Sequence, residues 1–279
     1  MPFVDKINRA FDVEICERKD WNIFKGTHMH DCYEIYYMEG GEINYFVEER
    51  IYRVRKGEMI LIPPGVMHKT MPYLKQQHKR ILIYIAPDFL KEFAVMDPNL
   101  YACFEHTLLS VIKREAVERI LYSLHAERQR EEKANLVLVK CLLGELLTMM
   151  NRWTEQDRII GEPCVTHGSS QKIMEVVKYI NQHFREDLRL PDTAKKFYLD
   201  SSYLSRTFHR VIGLTYSDYL VKVRVRQAAR LLLETDQRVT EIAEEVGFHS
   251  DNHFCKTFKK VVGISPLQYR KREGVVSNS

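Results

Sequence analysis

The chain has 279 residues, with 42 Lys and Arg against 38 Asp and Glu, a formal net charge of +4 and 45% hydrophobic residues. That balance excludes a fibre, a disordered tail and a membrane-embedded chain, and the length suits two domains. Six cysteines are scattered as Cys16, Cys32, Cys103, Cys141, Cys164 and Cys255 without a C-x-x-C pair, so neither a disulfide framework nor a zinc ribbon is expected.

The first residues, MPFVDKINRAFDV, carry charges where a signal peptide needs an apolar core. The most apolar later run, Leu136 to Met150, is broken by Lys140 and Glu145, so a cytoplasmic protein without membrane contact is expected. From Ile23 to about Ala86 the segments EIYYM, EINYFV, RIYRV, EMILI and RILIYIA are rich in Tyr, Ile and Val. Gly40-Gly41, Gly57 and Pro63-Pro64-Gly65 punctuate them, which predicts a small antiparallel barrel or sandwich over residues 1–86.

After Pro87 the apolar residues recur at three- and four-residue steps, predicting helices over Ser110 to Glu132 and Ala134 to Trp153. In the second, Leu136, Val139, Leu143, Leu146 and Met150 repeat as 3-4-3-4. This stripe is either the seam of a homodimer, making 87–150 a dimerisation segment, or a face packed on the chain's own barrel. Residues 151–170 carry Gly161, Pro163, Gly168 and two serines without a period, as a linker does. A helix near Gln171 to Phe184 follows, with Ile173, Val176, Val177, Ile180 and Phe184 on one face.

The charge is unevenly placed: residues 171–273 hold 19 Lys and Arg against 13 Asp and Glu, a surplus of +6 that leaves −2 for the rest. Nucleic acid is therefore a candidate partner of this part. The same region repeats itself. At an offset of 49, Leu190, Ala194 and Leu199 face Val239, Ala243 and Phe248; at 50, Thr207, Phe208, Val211, Gly213 and Tyr219 meet identical residues.

Each copy has a short helix with a buried alanine (Asp192 to Tyr198; Thr240 to Val246), a tight turn and a second helix (Ser201 to Ile212; Ser250 to Val262) ended by Gly213 or Gly263. With Leu204, Phe208, Val211 and Phe254, Phe258, Val261 turned inward, the opposite faces offer Ser202, Ser205, Arg206 and His209, and Asp251, Asn252, Cys255, Lys256 and Lys259. Arg and Lys bond guanine edges, Asn pairs with adenine, and small side chains let a helix sit deep in the major groove. Tyr216 to Leu233 joins the copies as one helix about 27 Å long, close to the roughly 34 Å between successive major-groove windows.

The segment EIAEEVGFHSDNHFCKTFKKVVGISPLQYRKR resembles the second helix-turn-helix of the AraC/XylS family of bacterial transcription regulators, at Ala243, Gly247-Phe248, Phe254, Phe258, Gly263, Ser265-Pro266 and Tyr269-Arg270. The resemblance extends over 171–273 through LSRTFHRVIG and YLVKVRVRQAARLLL. It implies that Ser202, Ser205, Arg206, Asp251, Asn252, Cys255 and Lys256 read bases while His209 and Lys259 touch the backbone, with helix capping as the other role for Asp251. It also implies double-stranded DNA, a small-molecule effector, a homodimeric partner and RNA polymerase as partners, with activation as the commoner outcome.

In the barrel, His28, His30, Glu34 and Gly41 have the form H-x-H-x3-E-x6-G, and Gly57, Pro63, Gly65 and His68 the form G-x5-P-x-G-x2-H; both resemble the cupin motifs. On an uninterrupted strand His28, His30, Cys32, Glu34 and Tyr36 share one face. Three readings stand: a polar effector pocket without metal, a site for Fe, Mn, Ni or Zn, or structural histidines. The family resemblance adds Arg80 and Tyr84 to the pocket lining, which becomes His28, His30, Glu34, Tyr36, His68, Arg80 and Tyr84.

The expected architecture is α+β multidomain: a cupin-like barrel and helices, then an all-α double helix-turn-helix. The expected function is transcription regulation by a sugar or related polar metabolite, with no catalytic residue, resident metal or cofactor. The alternative is a cupin metalloenzyme carrying an accessory DNA-binding domain. No GxSxG, GxxxxGK[ST] or GxGxxG motif supports hydrolase, P-loop or Rossmann chemistry.

Overall fold

A computed structural model describes residues 11–18, 26–71, 77–95, 97–130, 135–155, 160–164 and 168–274. The chain forms two units, Met1–Val165 and Thr166–Ser279. The amino-terminal ten residues, whose charges weighed against a signal peptide, lie outside the described residues.

The first unit holds two antiparallel sheets. The larger has the order β1(Phe11–Arg18), β7(His78–Ile85), β2(Tyr33–Gly40), β5(Glu58–Ile62), β8(Leu108–Ser110); the smaller has β4(Arg50–Arg55), β3(Glu42–Val47), β6(His68–Met71). One face of the large sheet, with Tyr36, Met38, Ile60, Ile62, Leu82 and Tyr84, packs on Ile43, Tyr45, Val47, Tyr52 and Val54 of the small sheet to close a cupin-like barrel. Its other face, with Ile35, Tyr37, Met59, Leu61, Ile81, Ile83 and Ile85, packs on helices α1(Pro87–Ala94), α2(Arg114–Gln129) and α3(Leu136–Thr154). Burial on both faces is why EIYYM and RILIYIA are apolar runs rather than strict alternations.

This covering corrects the seam reading of α3. Val139, Leu143, Leu146 and Met150 are all fully buried in the core between helices and sheet, and only Leu136, at 53% exposure, lies outside it. The stripe covers the apolar outer face of the chain's own large sheet, which takes that area out of water. The barrel also extends past residue 86, since β8 falls within the segment read as helical.

The linker is shorter than its composition suggested. Residues 151–154 complete α3, and the stretch 160–164 is tied to the barrel by Gly161 N–H to Leu108 O (2.8 Å) and Cys164 N–H to Ile51 O (2.7 Å). Residues 156–159 and 165–167 lie outside the described residues. All six cysteines are free thiols.

The second unit is helical: α4(Ser169–His183), α5(Leu190–Lys196), α6(Ser201–Ile212), α7(Tyr216–Glu234), α8(Val239–Glu245), α9(Asp251–Val262) and α10(Pro266–Gly274). The two copies repeat in geometry as well as in sequence. Leu199 N–H donates to Ala194 O at 2.8 Å and Phe248 N–H to Ala243 O at 2.9 Å, closing the same turn. The Phe208 and Tyr219 rings meet edge to face at 5.6 Å and 75°, and Phe258 and Tyr269 at 5.6 Å and 72°.

Each turn places one residue in the left-handed region: Tyr198 (φ 55°) in the first and Gly247 (φ 89°) in the second. At Tyr198 the side chain is 96% exposed, so it meets no obstacle. A Cβ on Gly247 would lie 2.8 Å from Arg185 O, a contact that backbone must move to relieve. Gly247→Ala is therefore expected to destabilise the helical unit by more than about 1 kcal/mol in urea unfolding followed by circular dichroism, with no comparable loss for Tyr198→Gly. A Gly247→Ala chain as stable as its parent would contradict this turn geometry.

Candidate functional site

Two sites emerge, one in each unit. In the helical unit, α6 is capped by Asp200, whose carboxylate accepts from Tyr203 N–H at 2.9 Å, and α9 by Ser250, whose hydroxyl accepts from His253 N–H. The capping role considered for Asp251 therefore belongs to Ser250. Asp251 sits in the first turn, exposed, where a carboxylate is favoured by the helix dipole.

Leu204, Thr207, Phe208, Val211 and Ile212 bury one face of α6, and Phe254 and Phe258 do the same for α9. Opposite them, Ser202, Ser205, Arg206 and His209 are all exposed, as are Asp251, Asn252, Lys256 and Lys259. Cys255 is half-buried, which puts its thiol at the edge of the free face. Exposed Tyr203, Arg210, His253 and Lys260 lie on the same two helices; they escaped the sequence reading because it followed only the strip directly opposite the buried stripe. The intervening α7 is 19 residues, about 28 Å, long and packs against both second helices. Its Arg224 donates to Phe184 O and Glu186 O, both at 2.8 Å, fixing α7 against the end of α4.

In the barrel, the expected strand through His28 to Tyr36 is broken: β2 starts at Tyr33, and His28 instead makes an isolated bridge to His68. The bridge still delivers the cluster, because it lays the 26–30 segment beside β6. Donor atoms of His28, His30, Glu34 and His68 all lie within 4.8 Å of one another. Glu34 Oε2 is 3.0 Å from His30 Nε2 and 3.4 Å from His68 Nε2, while its Oε1 accepts from Tyr45 O–H at 2.7 Å.

Glu34 and His68 are buried, at 2% and 0% exposure. Burial alone would raise the Glu34 pKa, but the nearby His68 imidazole and the hydrogen bond from His30 outweigh it and hold the carboxyl well below its usual range. Burial, reinforced by neighbouring His68, lowers the His28 pKa to about 4, so this ring is neutral at physiological pH. Burial and the nearby Glu34 carboxylate push the Tyr45 and Tyr84 phenols upward.

Tyr84 stands edge-on to His30 with ring centroids 5.5 Å apart, and the Arg80 guanidinium lies 5.4 Å over the Tyr36 ring. All seven residues expected in the lining thus come from the barrel's inner side, with Arg80 only 6% exposed and in no ion pair among the described residues. Tyr45 was missed. In β3 it shares the inner face with Ile43 and Val47, but nothing in the sequence pairs it with Glu34.

A pair of exposed, basic recognition-type helices on one scaffold, with a ligand-type barrel preceding them, defines a DNA-binding transcription regulator. Residues 193–272 match the family described as a helix-turn-helix domain, and residues 11–147 match the AraC-like ligand binding domain. An uncharacterized HTH-type transcriptional regulator of Haemophilus influenzae is 31% identical over 253 residues, covering 84% of each chain. The HTH-type transcriptional activator RhaR of Mannheimia succiniciproducens is 25% identical over 92% of this chain and 91% of its own. The melibiose operon regulatory protein of Escherichia coli K12 is 24% identical, over 90% and 85% respectively. The chain belongs to the AraC family of DNA-binding transcription regulators, with a ligand-binding domain. Among the described residues no helix is long and apolar enough to cross a membrane.

If the free faces of α6 and α9 read DNA, single substitutions separate base contacts from backbone contacts. Arg206→Ala is expected to cost about 1–3 kcal/mol on specific DNA and to relax preference at one base pair, measured by anisotropy titration. Lys259→Ala should weaken all sequences alike and flatten the salt dependence. Equal loss on specific and random DNA for Arg206→Ala would overturn its base-reading role.

Proposed function

We propose that this protein is a cytoplasmic transcription activator whose barrel binds a sugar or related polar metabolite, and whose two helix-turn-helix units read adjacent boxes on one operator. The observation that carries the effector reading is the polar cluster of His28, His30, Glu34, His68 and Arg80 inside a barrel otherwise filled by Tyr, Ile, Leu and Met. Burying such groups costs free energy unless they are paired, so a barrel that retains them has a use for them. Hydroxyl-rich ligands match this lining: imidazole, carboxylate and guanidinium groups bond hydroxyls, and the Tyr36 and Tyr84 rings stack on a sugar face. The activator and melibiose names of two relatives support the same class.

Ser202, Ser205, Arg206, Asp251, Asn252, Cys255 and Lys256 are assigned to base edges, and His209 and Lys259 to the DNA backbone. A second copy of the chain and RNA polymerase complete the partners. Regulation follows from linkage: an effector that binds one arrangement of the protein more tightly shifts the population toward it, by no more than its differential affinity.

A thermal-shift screen of neutral sugars, sugar acids and polyols against the full chain tests the reading. An effector at a hundredfold excess over its Kd is expected to stabilise the barrel by about 2.7 kcal/mol, and Arg80→Ala should abolish that response while leaving binding to DNA intact. A screen without any stabiliser, or full stabilisation retained in Arg80→Ala, counts against the pocket.

A further inference from the structure

The three barrel imidazoles share one hydrogen-bonding pattern. His28 Nδ1 lies 3.0 Å from Gly26 O, His30 Nδ1 3.0 Å from Cys32 O, and His68 Nδ1 2.9 Å from Val66 O. A carbonyl oxygen only accepts, so each contact places the imidazole proton on Nδ1. In a neutral ring Nε2 then carries the lone pair, and this is the nitrogen that His30 and His68 turn toward Glu34 Oε2. The Cys32 thiol, 3.2 Å from His30 Nδ1, lies on the opposite side of that ring.

Lone pairs of two neutral rings set against one carboxylate oxygen repel unless positive charge lies there, either a proton on each Nε2 or one metal ion shared by the rings and the carboxylate. His68 Nε2 is fully buried, lies off hydrogen-bond geometry from Glu34 and has no hydrogen-bond partner among the described residues. The carboxylate is itself oriented, because Tyr45 O–H holds Oε1 and leaves Oε2 facing the rings. Histidines whose far N–H groups are held by carbonyls, and a carboxylate held by a phenol, form the outer shell that fixes metal ligands in a set direction.

We propose that the barrel holds one divalent transition-metal ion on the imidazole nitrogens of His28, His30 and His68 and the carboxylate of Glu34. Three imidazoles and one carboxylate suit Mn, Fe, Co, Ni or Zn; the set has too few oxygens for Ca and no thiolate to select Cu(I). Four protein donors leave an octahedral ion open positions for ligand oxygens. On the effector reading given above, the ion is then the element that selects hydroxyl- or carboxylate-bearing ligands. Occupancy itself depends only on the four side chains.

The test uses tag-free full-length protein from cells grown with Mn, Fe, Co, Ni and Zn and purified without chelators, with metal measured by mass spectrometry. About one transition-metal ion per chain is expected in the parent, with at least about tenfold less in His68→Ala and in Glu34→Gln. Because a buried substitution can unfold the barrel, chelator-stripped parent protein is also titrated with Co²⁺. Visible d–d absorption saturating near one equivalent, with a raised melting temperature, is expected. Less than about a tenth of an ion per chain together with a featureless Co²⁺ titration would overturn the site. Full metal content in folded Glu34→Gln and His68→Ala would overturn the ligand assignment. A sugar that stabilises the metal-free parent as much as the metal-loaded one would leave the effector pocket standing and overturn the ion's part in selecting its ligand.

Discussion

The packing of each second helix onto the helix that follows it governs the carboxyl-terminal half. Phe208 against Tyr219, and Phe258 against Tyr269, meet at the same distance and nearly the same angle in the two copies. Because α7 supplies Tyr219 to the first copy and leads directly into the second, one rigid rod sets the separation of both free faces. Burying the aromatic side of α6 and α9 is what turns Arg206 and Lys256 outward, so core packing and DNA recognition are two sides of the same helices. Repetition at this level gives two readers with a fixed spacing, which a pair of independently tethered helices does not provide.

A different constraint governs the barrel. The large sheet is apolar on both faces, so α1 to α3 are needed as a cover, and the inner face is left to hold the polar cluster away from bulk water. In that setting electrostatics are strong. His68 and His30 keep the Glu34 carboxyl ionised despite its burial, and His28 stays neutral beside them. The arrangement resembles a site prepared for a charged or polar guest rather than a set of residues left over from folding.

Much of the helical unit was legible in the sequence because local signals agreed. The range of α6 followed from the apolar stripe of Leu204, Phe208 and Val211 and from Gly213, and the structure has the helix over those residues. The barrel was legible as a class but less so in detail. Strands β6 and β8 are only four and three residues long, too short for a pattern to register, and half of the FDVEICER strand β1 is charged. The 3-4 stripe on α3 showed that the helix has an apolar face; what covers that face is a tertiary fact that spacing does not contain. The histidine cluster was foreseen through strand alternation, yet the structure assembles it through the pairing of His28 with His68 across two segments. Tyr45, which aims Glu34, is likewise visible only once β3 lies opposite β2.

The central claim is that two helix-turn-helix units, fixed by α7, read DNA together, and selection from sheared genomic fragments tests it most directly. Purified full-length protein at physiological salt should enrich fragments sharing two boxes on one face of the duplex, their centres about one helical turn, roughly 10 base pairs, apart. Enrichment of a single box, or of two boxes at variable spacing, would contradict the fixed double reader, and enrichment no greater than that of random DNA would contradict specific reading altogether.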